Sequence, residues 1–141
     1  MDVRVHGERR FRVRRLEEGR PYLVGWVEPV YEMEIEDLSR VEDLTLLSRE
    51  YIQAYIANYF ARFQVSVAQI KLPQDPTALS FVVANFLQIE NLEKQRLLET
   101  TDTIERLEDM IPILEQHIVE AKSPDFHKVT RQHMEEWIFP N

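Results

Sequence analysis

Seven arginines fall between residues 4 and 20 of this 141-residue chain: Arg4, Arg9, Arg10, Arg12, Arg14, Arg15 and Arg20. Against Glu8, Glu17 and Glu18 they leave a local charge of +4 (seven minus three). Guanidinium groups at this density suit phosphates or carboxylates, because each planar fork can donate two parallel hydrogen bonds to one oxyanion. Two chemistries follow. One is contact with RNA phosphates and the other is contact with acidic segments of a client or partner chain; for either anionic partner the contact residues are Arg10, Arg12 and Arg14. The simplest reading is a solvated strand face whose arginines pair with Glu8, Glu17, Glu18 and Glu28. Aromatic residues for base stacking are sparse in this stretch, and the whole chain carries −8 (17 basic, 25 acidic), which disfavours nucleic acid.

Catalytic constellations are harder to find. The chain has no cysteine, so thiol chemistry, disulfides and sulfur-ligated zinc are excluded. His6, His117, His127 and His133 have no histidine partner at helical spacing, and His133 with Glu136 supplies too few ligands for a metal. Gly7, Gly19 and Gly25 precede no lysine, so neither a phosphate loop nor a dinucleotide fingerprint is present. Ser39, Ser48, Ser66, Ser80 and Ser123 lie in no nucleophile-elbow context. No acid/base pair of carboxylates stands out by spacing. The sequence therefore predicts no enzyme in this chain, no cofactor and no metal.

The elements that must position these residues are legible from periodicity. Phe11 and Val13 alternate with arginines, Glu18-Gly19-Arg20-Pro21 supplies a turn, and Tyr22, Val24 and Trp26 alternate with Leu23, Gly25 and Val27. A β-hairpin is expected at 9–31, after a strand stub at 2–6, with the second strand covered on both sides. Residues 32–43 are acidic and read as a connector. From Leu44 to Phe63 two stripes, Leu44-Leu47-Tyr51-Tyr55-Tyr59 and Ile52-Ile56-Phe60-Phe63, predict a helix apolar over more than half its circumference. Asp75-Pro76 caps and opens a second helix with Leu79, Val82, Val83 and Phe86 inward. A third spans 91–99. Asp102 with Glu105 starts a fourth, whose seam is Ile104-Leu107-Ile111-Leu114-Ile118, with a kink expected near Glu108–Ile111 ahead of Pro112. On its outer face Arg106 and Asp109 are expected to form a surface ion pair. A last helix is expected at 125–138. No apolar run reaches the roughly 18–20 residues of a membrane span.

At this point the residues become specific. The elements Gly7, Arg10-Phe11-Arg12-Val13, Pro21-Tyr22-Leu23-Val24 and Val27-Glu28-Pro29 are followed in the helical half by Asp75-Pro76, Leu79, Val83-Ala84, Leu87, Glu93-Lys94-Gln95, Leu97-Leu98-Glu99, Asp102 and Glu105-Arg106-Leu107. Their order and spacing over residues 7–120 resemble the amino-terminal substrate-binding domain of the Lon protease family, a small PUA-like β-barrel followed by a helical bundle. The family's strands ahead of the Gly7 region have no counterpart here, which suggests that the chain enters the barrel part-way. Its full-length members continue into ATPase and protease modules, and Ser123–Asn141 does not resemble the long helix that usually follows.

The resulting expectation is an α+β chain: a partial PUA-like β element at 1–35, a helical bundle at 36–122 and a terminal helix or tail at 123–141. The resemblance implies a non-catalytic, cytoplasmic module that recognises unfolded or damaged polypeptides, in company with Lon-type ATPase and protease modules. Open sheet edges add self-association as a further expectation. Contact residues for polypeptide are expected among Tyr22, Trp26, Tyr55, Tyr59 and Phe63, with core packing as the competing reading for each. An RNA-binding PUA-like module and a structural oligomerisation piece are the alternatives.

Overall fold

Two short strands and four helices follow one another in a computed structural model that describes residues 7–61 and 71–121. Strands β1 (Phe11–Glu17) and β2 (Val24–Pro29) pair antiparallel as a two-stranded sheet. Gly19 makes the turn between them possible: its φ of +90° lies in the left-handed region that side chains disfavour. The register runs from Phe11↔Pro29 to Glu17↔Val24, with an irregularity between Val13 and Arg15 that leaves Arg14 as the extra residue of a bulge.

Helix α1 (Leu38–Ala61) begins earlier than periodicity suggests. Asp37 accepts the Arg40 amide on its side chain at 2.8 Å, and its carbonyl accepts the Val41 amide at 3.1 Å. The charged residues 40, 42 and 43, which read as connector, occupy the exposed side of this first turn while Val41 and Leu44 are buried. Helix α2 (Pro76–Phe86) is capped as expected, with Asp75 accepting the Ala78 amide at 2.7 Å and Pro76 at the first helical position. Helix α3 spans Asn91–Glu99. Helix α4 (Thr103–Ala121) opens with Asp102 accepting the amides of Ile104 and Glu105 at 2.8 and 3.3 Å. It continues past Pro112, which sits on an exposed side where the carbonyl freed one turn earlier can meet water.

The principal packed pair is α1 with α4. Arg40 reaches Glu108, Tyr51 donates to Glu115 at 2.8 Å, and the Tyr55 ring meets His117 edge-on at 5.8 Å. The partners rise together in number, so the two helices run parallel. Thr77–Thr103 and Ser80–Arg106 place α2 parallel to α4 by the same argument. Leu97–Arg106 and Arg96–Asp109 run in opposite order, so α3 returns antiparallel. The core contains Ile52, Ile56 and Phe60 from α1, Leu79 and Val83 from α2, Leu97 from α3, and Leu107, Met110 and Leu114 from α4.

Two expectations need correction here. The buried seam of α4 is Thr103, Arg106, Leu107, Met110 and Leu114, whereas Ile104, Ile111 and Ile118 are only half-buried. The apolar residues are spread widely enough that the helix can turn by part of a residue and still bury two of them fully. The second strand is not covered on both sides: Trp26 and Val27 are 59% and 54% exposed, because no helix packs extensively against either strand. The strand stub at 2–6, Phe63 and the helix at 125–138 lie outside the described residues.

Candidate functional site

The hairpin register sorts its side chains onto two faces. Phe11, Val13 and Leu16 of β1 stand on one face with Gly25, Val27 and Pro29 of β2. A β-carbon placed on Gly25 would touch the Val13 and Leu16 side chains at 3.5 and 3.6 Å, which confirms that the face continues across the bulge. Every one of these residues is exposed. The opposite face carries Arg12, Arg14, Arg15 and Glu17 against Val24, Trp26 and Glu28. Arg14 and Arg12 both reach Glu28, Arg14 the more closely, and Arg20 reaches Glu17 at 3.2 Å. The hydrogen bond from Arg14 is the main reason the Glu28 carboxyl is held below the ordinary carboxylate range. Arg15 lies over the Trp26 ring, 5.6 Å from its centroid.

Beneath the hairpin lies a polar clasp that the sequence did not reveal. Arg106 is completely buried. Its guanidinium donates to the Leu97 carbonyl at 3.2 Å, the Ser80 hydroxyl at 2.7 Å, the Thr100 carbonyl at 2.7 Å and Glu32 Oε2 at 2.6 Å. Arg10, just before β1, donates to the Leu98 and Thr100 carbonyls at 2.5 and 2.8 Å and to the other oxygen of Glu32. One carboxylate thus joins two guanidinium groups. Both cations sit at the C-terminal end of α3, where carbonyls lack helical partners and the dipole favours positive charge. Both also lie over the Phe81 ring, at 5.1 Å for Arg10 and 4.1 Å for Arg106. Burial lowers the Arg10 pKa from its ordinary value, Glu32 opposes that shift, and neighbouring Arg106 adds to it. The Met33 amide donates to the Thr101 carbonyl at 2.9 Å beside this cluster. Together these contacts tie the base of the hairpin to the bundle.

The expected contact residues are dispersed. Tyr22 precedes β2 and is 64% exposed; Trp26 lies on the polar sheet face. Tyr55 is buried in the core, and its hydroxyl accepts the Gln88 amide at 3.3 Å. Tyr59 is half-buried and stacks on Tyr55 with ring centroids 6.3 Å apart. Of the three arginines considered, Arg12 and Arg14 stay on the strand face, while Arg10 turns into the clasp. The surface pair expected between Arg106 and Asp109 does not form: Asp109 is taken by Arg96 at 3.4 Å. The signal for Arg106 was its spacing from Thr103 and Met110, which places a charge on the inward stripe of α4. Among the described residues no three His, Asp or Glu side chains form a possible metal group, and no helix is long and apolar enough to cross a membrane.

The family model of the ATP-dependent protease La (LON) substrate-binding domain matches residues 1–116. The chain belongs to this family. No curated protein matches it. The Lon substrate-binding domain is the non-catalytic, substrate-recognising region of these proteases. In this Lon domain the conspicuous surface is the apolar face of β1 and β2. The clasp fixes how that face is presented.

Proposed function

We propose that this chain recognises unfolded or damaged polypeptides in the cytoplasm, as the substrate-recognition part of a Lon-type system whose ATPase and protease modules do the chemistry. One observation carries the reading: a hairpin in a Lon substrate-binding domain whose apolar face, Phe11, Val13, Leu16 and Val27, is at least half exposed at each position. Contiguous exposed apolar surface of this kind marks interaction sites. Unfolded chains differ from folded ones chiefly in the apolar side chains they expose. Tyr22, Leu23 and Trp26 extend the accessible apolar area at the same end of the molecule. Tyr55 belongs to the core on this reading, and contact falls to Tyr22 and Trp26. The arginine strand favours RNA less, because Arg12 and Arg14 already converge on Glu28.

The test is fluorescence anisotropy with a labelled, permanently unfolded polypeptide, its folded counterpart and a single-stranded RNA, each at low and high salt. Saturable binding of the unfolded chain alone is expected, persisting at high salt and weakened several-fold by Val13→Asp or Tyr22→Ala. RNA binding that collapses with salt, or equal affinity for the folded protein, would overturn the reading.

A further inference from the structure

Strict alternation along β1 would put Arg12, Arg14 and Leu16 on one face and Arg15 among the apolar residues of the other. The bulge prevents this. With Arg14 as the extra residue, Arg14 and Arg15 both stand on the side of Arg12, and Leu16 returns to the side of Phe11 and Val13. Three guanidinium groups thus share a face that an unbroken ladder would give two. Opposite them β2 contributes Val24, Trp26 and Glu28.

Glu28 answers both Arg12 and Arg14, and Glu17 is answered by Arg20. Arg15 meets the Trp26 ring and, among the described residues, no carboxylate. Three arginines less Glu28 leave this face at +2, on a chain whose net charge is −8. Arg12, Arg14 and Trp26 are each more than half exposed. Neighbouring strands bond along edges and leave the faces as they are. An unpaired guanidinium is also costly to bury, which keeps the charged face at the solvent whatever adjoins β1.

A positive face on an acidic molecule selects anions, and its size decides which. RNA brings continuous phosphate, which the acidic remainder of the chain repels beyond this face. Its bases also need aromatic platforms, and the face has one ring, which Arg15 already lies over. A short run of carboxylates asks for no more than a few guanidinium forks. Arg10 is not among them, because the clasp holds it.

We propose that Arg12, Arg14 and Arg15, brought onto one face with Trp26 by the bulge, form a docking face for a short acidic polypeptide segment. The inference rests on the polypeptide-recognition reading above and adds to it a class of segment. Apolar contact supplies the part of binding that survives salt; this face supplies a salt-sensitive preference for carboxylate-rich stretches and faster encounter with them.

The probes are labelled peptides of about eight residues, rich in glutamate, in glutamine or in lysine, beside a single-stranded RNA of the same charge as the glutamate peptide and the permanently unfolded polypeptide. Each is titrated by anisotropy at low and high salt. Trp26 and Trp137 are the two tryptophans, so a Trp137→Phe background makes Trp26 emission a report from the face itself. The glutamate peptide is expected to bind about tenfold or more tightly than the glutamine peptide at low salt, to lose that advantage at high salt and to change Trp26 emission. An Arg14→Glu/Arg15→Glu variant is expected to prefer the lysine peptide. Deleting Arg14, which removes the bulge and leaves the apolar alternation intact, is expected to weaken glutamate binding several-fold with an unchanged far-UV spectrum. If the unfolded polypeptide binds but glutamate and glutamine peptides bind alike, the acidic preference is overturned and general recognition stands. If the glutamate peptide binds and the unfolded polypeptide does not, the docking face stands and the broader function falls. RNA binding as tight as that of the glutamate peptide, or glutamate binding unaltered in the double variant, would overturn the proposal.

Discussion

Arg106 carries a charge where the surroundings admit no water, and Glu32 makes that tolerable. Breaking a buried charge pair costs far more than the pair contributes, because the orphaned partner cannot be solvated. Arg106→Ala removes the cation and leaves Ser80 and Leu97 without its donated hydrogen bonds, while Thr100 and Glu32 keep Arg10. It is expected to lower stability by about 3–5 kcal/mol in urea unfolding. Glu32→Gln is expected to cost less, since that side chain is 26% exposed, and the double variant to lose less than the sum of the two. Strict additivity would show that the two groups do not act as a unit. Spacing from Thr103 and Met110 marks Arg106 alone; nothing local in the sequence marks Glu32 as its partner. An arginine three residues from an aspartate reads as a surface pair; only the helix's tertiary rotation turns Arg106 inward and hands Asp109 to Arg96.

Elements are legible wherever their signal is local. The Gly19 turn, the Asp75-Pro76 start of α2 and the Asp102 start of α4 each rest on chemistry within four residues. Asp75→Ala tests this directly: losing the bond to the Ala78 amide is expected to cost about 1 kcal/mol by thermal or urea unfolding, with Asn restoring most of it. No change on alanine would mean that packing, not capping, fixes where α2 begins. Periodicity places the start of α1 too late because its first turn is charged, and charge at a helix entrance resembles a linker although Val41 and Leu44 are buried. The apolar alternation of the strands was legible too. Its cover was not, since whether a strand face is packed depends on what the rest of the chain brings to it.

At the scale of the whole molecule, the hairpin and the bundle differ in kind. The bundle has a continuous apolar core shared by all four helices; the hairpin has its own ladder and a polar clasp at its base. A sheet of two strands is marginal by itself. Backbone amides of β1 and β2 are therefore expected to exchange with solvent faster than those in the interior of α1 and α4, and faster still in Glu32→Gln, which affects the bundle amides less. Equal protection in both parts would contradict this division. The arrangement suits a recognition module, since its adaptable part is the exposed one and its rigid part is sheltered.

The clasp draws its members from positions 10, 32 and 106, and Arg10 meets carbonyls 88 and 90 residues away. Closing so long a loop costs entropy before any contact repays it. The clasp thus belongs to the last steps of assembly, after the helices have met. Interactions absent from the folding transition state govern how fast a protein comes apart rather than how fast it forms. Substitutions at Arg10 and Glu32 are consequently expected to shorten the lifetime of the docked hairpin in unfolding kinetics and to leave the folding rate unchanged.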